Sequence, residues 1–427
     1  MPNLPKLKIG SPATGDHYYP RIAIRTRIIK ALSRDHLAFL GPRRTGKTSI
    51  LRDLESHPPP GQSALYLDLQ GLRSVPAWLA LMLQETRKLI QTPPDKLAWL
   101  KKIGKGTSAL LKRIDQISLT GIKLTPGQPA VDFWEPLGDE FLALLREHEL
   151  PIVYMLDEFP WFLGHVATNH SPAEVDAALN WFRKVRLELA DGPTRFLVTG
   201  SIGLTGLLRR LGLSPAANDF DTIDIEPLSE KESLQFLEER AEGEGITLSI
   251  AARRRILERL GVGWPLLLAT FLSEVQEDND SDGKGAGKTK PGPTKPRGPT
   301  VKDIDRLYDE RMIAGNRNKY KYCQEMFTRI GKQEVFSLSE RQLAKEILRT
   351  LSRARQGFGK DDFDQLHARL VPDPTHRALL SAELDYVLET LRHDGYLLRQ
   401  RDADPAKDGL HNFASHILRD YWRHHTA

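Results

Sequence analysis

Short apolar runs alternate with stretches of helical periodicity over the first 276 residues. The runs cover 36–40, 64–69, 152–156, 195–199 and 222–225, and such alternation predicts a parallel sheet covered by helices, a three-layer α/β core. Between the second and third runs lies a long insertion, helical in VPAWLALMLQETRKLI and basic in WLKKIGKGTSALLKRI. Ser229 followed by Glu232 forms a capping box that opens the helix EKESLQFLEERA, so residues 229–276 read as a small helical appendage. Beyond residue 300, SERQLAKEILRTLSRA, DDFDQLHARL and HRALLSAELDYVLETLRHDGYLLRQ read as three helices leading into a strand. A second strand near 410–413 follows the turn DADPAKDG, and ASHILRDYWRHH reads as the last helix.

Composition then divides the chain. Segment 277–300, EDNDSDGKGAGKTKPGPTKPRGPT, holds five Gly, four Pro, alternating charge blocks and no large apolar residue, so it reads as a flexible tether. The expected domains are a core at 1–228, a helical lid at 229–276, the linker at 277–300 and a C-terminal domain at 301–427. The run 264–272 falls well short of the roughly 20 apolar residues of a membrane span, and the start MPNLPKLKIG lacks a signal-peptide core. A single cysteine, Cys323, makes neither an intrachain disulfide nor a cysteine-rich metal site. The expectation is a cytoplasmic protein with no membrane partner. Its net charge of +5 is uneven: residues 1–60 hold 11 basic and 4 acidic groups, whereas residues 301–427 hold 22 and 20. That early basic excess suits a phosphate-bearing ligand as well as a nucleic acid.

The early basic region contains HLAFLGPRRTGKTSILRDL, in which Gly41, Gly46, Lys47 and Thr48 match G-x-x-x-x-G-K-[ST] between a predicted strand and a predicted helix. This is a P-loop. Its glycines let main-chain N–H groups of the stretch Gly41, Pro42, Arg43, Arg44, Thr45, Gly46, Lys47, Thr48 and Ser49 curl round phosphates. Lys47 reaches the β and γ phosphates, and the Thr48 hydroxyl ligates Mg²⁺. A similar-looking GKGAGKT in the tether has Asp282 where the first glycine belongs and no strand before it, so it is not a phosphate site.

A nucleotide hydrolase also needs a carboxylate for the metal and a group to orient water. PIVYMLDEFP supplies both: Asp157 ends a buried strand and would hold the Mg²⁺ shell through water, and Glu158 would polarise the attacking water. The next strand, TRFLVTGSIGL, offers Thr199 and Ser201, either of which could reach toward the γ-phosphate. Arg209 and Arg210 end a helical stretch and could contact a neighbouring subunit's nucleotide in a homo-oligomer, or simply complement the helix dipole. Lys101, Lys102, Lys105, Lys112 and Arg113 are candidates for nucleic-acid phosphates, with a solvated helix face as the plainer reading.

Taken in order, GDHYYPR, GPRRTGKTS, LDEFPWFL, LVTGSIGL, NDFDTIDIEPLSEKE and GVGWPLLL resemble the archaeal-type ATPases of the STAND and AAA+ superfamily and their bacterial relatives, over nearly the whole chain. That resemblance implies a three-layer P-loop NTPase core with a helical lid and a C-terminal winged-helix domain. It further implies that Tyr19 and Arg21 lie near the base, that Ser201 is a sensor, and that Gly263 with Pro265 of G-x-P closes the lid over the nucleotide. Ile22 departs from the acidic residue that usually follows the position of Arg21. The catalytic set is then Lys47, Glu158, Ser201 and Arg210, acting on ATP with Mg²⁺ in a nucleotide-controlled switch. Two alternatives stay open: a DNA-binding initiator or loader whose DNA affinity ATP sets, and a regulatory or defence ATPase whose C-terminal domain binds protein.

The third C-terminal helix bears on that choice. Leu380, Leu384, Val387, Leu388 and Leu391 form its apolar stripe, leaving Glu383, Asp385 and Glu389 toward solvent, where carboxylates repel phosphate. Arg399, Arg401, Arg419 and Arg423 leave non-specific contact with a DNA backbone open. His411, His416, His424 and His425 read as surface histidines, without thiolates or converging carboxylates to make a metal set.

Overall fold

The computed structural model describes residues 6–91, 106–123, 134–200, 204–213, 220–285, 298–315, 321–331, 336–379, 381–400 and 408–426. Two compact units emerge. One comprises Pro20–Gly41 and Lys47–Ile225, and the other Met1–Tyr19, Pro42–Gly46 and Glu226–Ala427.

The first unit runs α1 (Ile22–Leu32), β1 (Leu37–Leu40), α2 (Lys47–Ser56), β2 (Ser63–Asp68), α3 (Val75–Gln91), α4 (Gly106–Lys123), α5 (Trp134–His148), β3 (Ile152–Asp157), α6 (Phe159–Asn169), α7 (Pro172–Glu188), β4 (Arg195–Gly200), α8 (Leu204–Arg210) and β5 (Asp221–Asp224). The five strands form one parallel sheet in the order β2-β3-β4-β1-β5. β1, β3 and β4 are buried at every position, which is why they read as unbroken apolar runs rather than as alternating ones. Trp78 of α3 anchors the core, with the rings of Phe159, Phe162, Trp181 and Phe182 edge-on around it at 5.3 to 5.7 Å. Gly138 of α5 lies flush against Trp181, where an added Cβ would come within 2.7 Å of the indole. In the basic insertion, Leu110 and Ile114 of α4 are buried, and Arg113 is paired with Glu147 of α5. Its charge is already matched within the fold, which weakens its candidacy for nucleic acid; Lys112 is exposed, and Lys101, Lys102 and Lys105 lie outside the described residues.

His36, just before β1, is buried. Its Nδ1 accepts from the Phe196 N–H at 3.0 Å and its Nε2 faces the Arg186 carbonyl at 3.0 Å, an arrangement that suits the neutral ring with the proton on Nε2. Burial lowers its pKa from 6.5 to about 4.

The second unit holds α9 (Glu230–Gly243), α10 (Ile250–Leu260) and α11 (Pro265–Gly285). The capping box opens α9 as expected, with Ser229 N–H to Glu232 Oε2 at 2.9 Å and Glu232 N–H to Ser229 Oγ at 3.3 Å. α11 continues to Gly285, so the first part of the segment read as a tether is helical. Ion pairs tie down the start of that extension: Asp278 accepts from both Arg306 and Arg311, and Glu274 lies beside Arg311. Residues 286–297 lie outside the described residues. The chain then forms α12 (Val301–Leu307), a π-helical turn (Tyr308–Ile313), α13 (Lys321–Arg329), α14 (Leu338–Arg353), α15 (Lys360–Leu370), α16 (Pro374–Leu379), α17 (Ser381–His393), β6 (Leu397–Arg399), β7 (His411–Phe413) and α18 (His416–His425). β6 and β7 pair antiparallel, giving helices followed by a two-stranded wing. The third predicted helix is described as α16 and α17, and Leu380 between them lies outside the described residues. Leu384, Val387 and Leu391 of α17 are buried and Asp385 and Glu389 are exposed, whereas Glu383 is half-buried and accepts from the Ser339 hydroxyl. Arg419 pairs with Asp420, Arg423 donates to the Ser352 carbonyl, and Arg401 lies outside the described residues. His416, His424 and His425 are exposed, and His411 is half-buried in β7. Among the described residues, no helix is long and apolar enough to cross a membrane, and no three His, Cys, Asp or Glu side chains converge on a metal position.

Candidate phosphate-binding site

β1 ends at Leu40 and α2 begins at Lys47, and the loop between them is built from unusual backbone. Gly41 (φ 149°), Arg44 (φ 61°) and Gly46 (φ 98°) all have positive φ, the conformation that lets a main chain coil into a nest of N–H groups. Gly41 is also held by space, since a Cβ there would lie 2.4 Å from Ile225 Cγ2, and the Ile225 N–H donates to the Leu40 carbonyl at 3.1 Å. Thr45 is buried, its hydroxyl donating to the Pro42 carbonyl at 2.8 Å. Lys47 is buried too, with Nζ donating to the Gly41 carbonyl at 2.7 Å. Arg43 and Ser49 are half-buried.

Asp157, the last residue of β3, is buried and accepts from four directions. Thr48 Oγ1 of α2 and Tyr66 Oη of β2 donate to its Oδ2 at 2.8 and 2.9 Å. Thr199 Oγ1 of β4 and the Glu158 N–H donate to Oδ1, the latter at 3.1 Å. The sheet order makes this possible, because β2 and β4 flank β3 on either side, with Asp68 opposite Asp157 and Val198 opposite Leu156. Of the two hydroxyl candidates on the fourth strand, Thr199 is the one that meets the carboxylate; Ser201 lies outside the described residues. Glu158 sits half-buried at the N-cap of α6 with φ 57°, a left-handed turn that separates its side chain's course from that of Asp157.

Tyr66 is the member that sequence reasoning missed. Its ring lies under the Arg52 guanidinium, 3.6 Å from the centroid, and its own N–H donates to Glu55 Oε1 at 3.3 Å, so α2 grips it from above. Burial and the neighbouring Asp157 raise its phenol pKa, which keeps the hydroxyl a donor. A polar-tipped aromatic two positions before the end of an otherwise aliphatic strand, ALYLD, was the available signal.

Four further candidates are placed within their own units. Tyr19 packs edge-on against Phe236 of α9 at 5.3 Å and its hydroxyl donates to the Glu232 carbonyl at 3.4 Å. Pro265 is the first residue of α11, and the Gly263 before it is held in close contact: its carbonyl accepts from the Leu228 N–H at 3.0 Å, and a Cβ there would strike Ser233 Oγ at 2.2 Å and the Leu228 carbonyl at 2.5 Å. Arg21 is buried at the N-cap of α1, and Arg210 is exposed at the end of α8. On the loop itself, Arg44 extends a bidentate fork to Glu325 of α13, at 2.9 and 2.6 Å, and Pro42 abuts Gly395, which follows α17.

Solved structures share this architecture along its length. A Walker-type ATPase of Pyrococcus abyssi matches with a TM-score of 0.59 at 14% identity, covering 97% of this chain and 99% of its own. The ORC2 protein of Aeropyrum pernix, solved in ADPNP–ADP complexes, matches with 0.51 at 14% identity over 96% of this chain and 95% of its own. No protein-family model and no curated protein matches the sequence. The five-stranded parallel sheet, the coiled loop after β1 and the helical C-terminal part make up the fold that this chain shares with these two archaeal proteins.

Proposed function

We propose that this protein binds ATP with Mg²⁺ and hydrolyses it slowly, as a nucleotide-controlled switch. One observation carries the reading: Thr48, in the helix that follows the positive-φ loop in the chain, Asp157 and Thr199 are joined by hydrogen bonds, and Lys47 at the start of that helix is buried. The Thr48 hydroxyl and the Asp157 carboxylate are hard oxygen donors, the kind Mg²⁺ takes, and they touch. When bound, the metal would neutralise charge on the β and γ phosphates. In the same reading Lys47 leaves the Gly41 carbonyl to meet the γ-phosphate, Glu158 holds and orients the attacking water, and Thr199 holds Asp157 still. The choice of an adenine nucleotide is supported by the ADPNP–ADP complexes of the Aeropyrum pernix protein.

The switch reading rests on where the loop's side chains go. Arg44 and Pro42 meet Glu325 and Gly395 of the C-terminal part, so a phosphate that re-coils the loop pulls on that part directly. The winged-helix-like part, 301–427, is read as a protein-binding rather than a duplex-reading module, because the exposed side of α17 carries Asp385 and Glu389. Arg210, exposed at the end of α8, is proposed to meet a neighbouring copy's nucleotide.

Isothermal titration with ATP and Mg²⁺ tests the foundation. Lys47→Ala should abolish binding, whereas Glu158→Gln should keep binding and lose turnover by at least about a hundredfold, the scale of a general-base contribution. Unchanged turnover in Glu158→Gln removes that residue from its role. Light scattering with and without nucleotide tests assembly, and a nucleotide-independent monomer would remove Arg210 from its own.

A further inference from the structure

The Asp157 carboxylate has two oxygens with about four acceptor directions between them, and four protein donors occupy them: Thr48 Oγ1, Tyr66 Oη, Thr199 Oγ1 and the Glu158 N–H. A hydrated divalent cation that is to be held by this carboxylate must donate to it from its own water shell. One resident donor has to give way.

The four differ in what leaving would require. The Glu158 N–H is main chain, fixed by the left-handed turn at φ 57°. Thr199 is fully buried in a strand with neighbours on both sides and has no solvent to turn to. Thr48 can present an oxygen lone pair to the metal while its O–H still donates to Asp157, so it need not leave. Tyr66 is different. It stands on β2, the outermost strand on its side of the sheet, it is only half-buried, and its phenol can exchange the carboxylate for water at the modest net cost of one hydrogen bond.

Resting on the nucleotide-and-metal reading above, we propose that Tyr66 is the exchangeable donor on the metal-holding carboxylate: the hydrated cation takes the Asp157 lone pair that Tyr66 Oη occupies, so Tyr66 sets how much free cation the site demands. Arg52, stacked on the ring, keeps the phenol close enough to return when the cation departs. Tyr66 is thus a competitor of the metal's water, a tuning residue rather than a catalytic one.

The test uses full-length protein saturated with a non-hydrolysable ATP analogue, with bound Mn²⁺ read by electron paramagnetic resonance. Tyr66→Phe keeps the ring under Arg52 and removes only the hydroxyl. It should reach half-saturation at about 3- to 10-fold lower free Mn²⁺ than wild type, the span of one exchanged hydrogen bond, with metal-free affinity for the analogue unchanged. Tyr66→Met, which also lacks the oxygen, should shift in the same direction. Unchanged or weakened Mn²⁺ binding in both variants, with normal binding in wild type, overturns the inference alone. Wild-type protein that takes up the analogue but no Mn²⁺ overturns the metal reading and this inference with it.

Discussion

His36 shows how much a single buried side chain can weigh. Its ring is neutral because burial disfavours the charged form, and the fold meets it as a neutral ring, with an N–H to Nδ1 and a carbonyl at Nε2. The unfolded chain binds a proton below its ordinary pKa of 6.5 and the folded chain resists until about 4. Stability from this group is therefore fully present above pH 6.5 and declines as pH falls from 6.5 to 4, by up to about 3 kcal/mol. Urea unfolding between pH 7.5 and 4 measures it, and His36→Gln should flatten that part of the profile, whatever it does to the plateau. The turn of the loop is legible in the sequence because the glycine spacing marks the positions that take positive φ, Gly41 and Gly46, ahead of the helix that starts at Lys47. Tyr66 is not, since nothing local announces which neighbouring strand's carboxylate a tyrosine will meet; that depends on the sheet order.

Elements are most legible where burial is uniform. β1, β3 and β4 are buried along their whole length, and their apolar runs mark them to within a residue at each end. The end of α11 is hidden because Glu-Asp-Asn-Asp looks like solvent-loving chain, whereas Arg306 and Arg311 absorb Asp278 from elements that begin only at Val301. The turn between α10 and α11 carries the element-scale prediction. Gly263 has a carbonyl and a hydroxyl where a Cβ would go, and the carbonyl belongs to main chain that cannot swing aside. Gly263→Ala should cost about 1 to 3 kcal/mol, the usual range for forced overpacking, and lower the thermal midpoint. The constraint at this glycine is one of space rather than of backbone freedom, so a variant melting like wild type would show that the turn relaxes.

At the scale of the whole molecule the informative separation is 281 residues, the distance along the chain between Arg44 and Glu325. No sequence pattern couples a phosphate-loop arginine to a helix in the C-terminal part. The pair is partly exposed, with 28% and 43% of the two side chains accessible, so its static worth is small, about 0.2 to 1 kcal/mol. In the proposed switch its consequence is kinetic. Glu325→Gln should speed release of a fluorescent adenine nucleotide by no more than about fivefold, and raised ionic strength should narrow the gap between variant and wild type. Stopped-flow release that is identical at low salt would remove this pair from the switch.

The pairing of β2 with β3 has one more implication. Asp68 stands opposite Asp157, so two carboxylate-bearing residues end adjacent strands side by side, and the phenol two places back is the donor that β2 itself brings to that corner, beside those of Thr48, Thr199 and the Glu158 N–H. Sliding β2 by a single position would send the phenol and Asp68 together to the opposite face and leave Asp157 without its β2 donor. An outer strand, normally the most forgiving place in a sheet, here carries a contact that only one alignment can make.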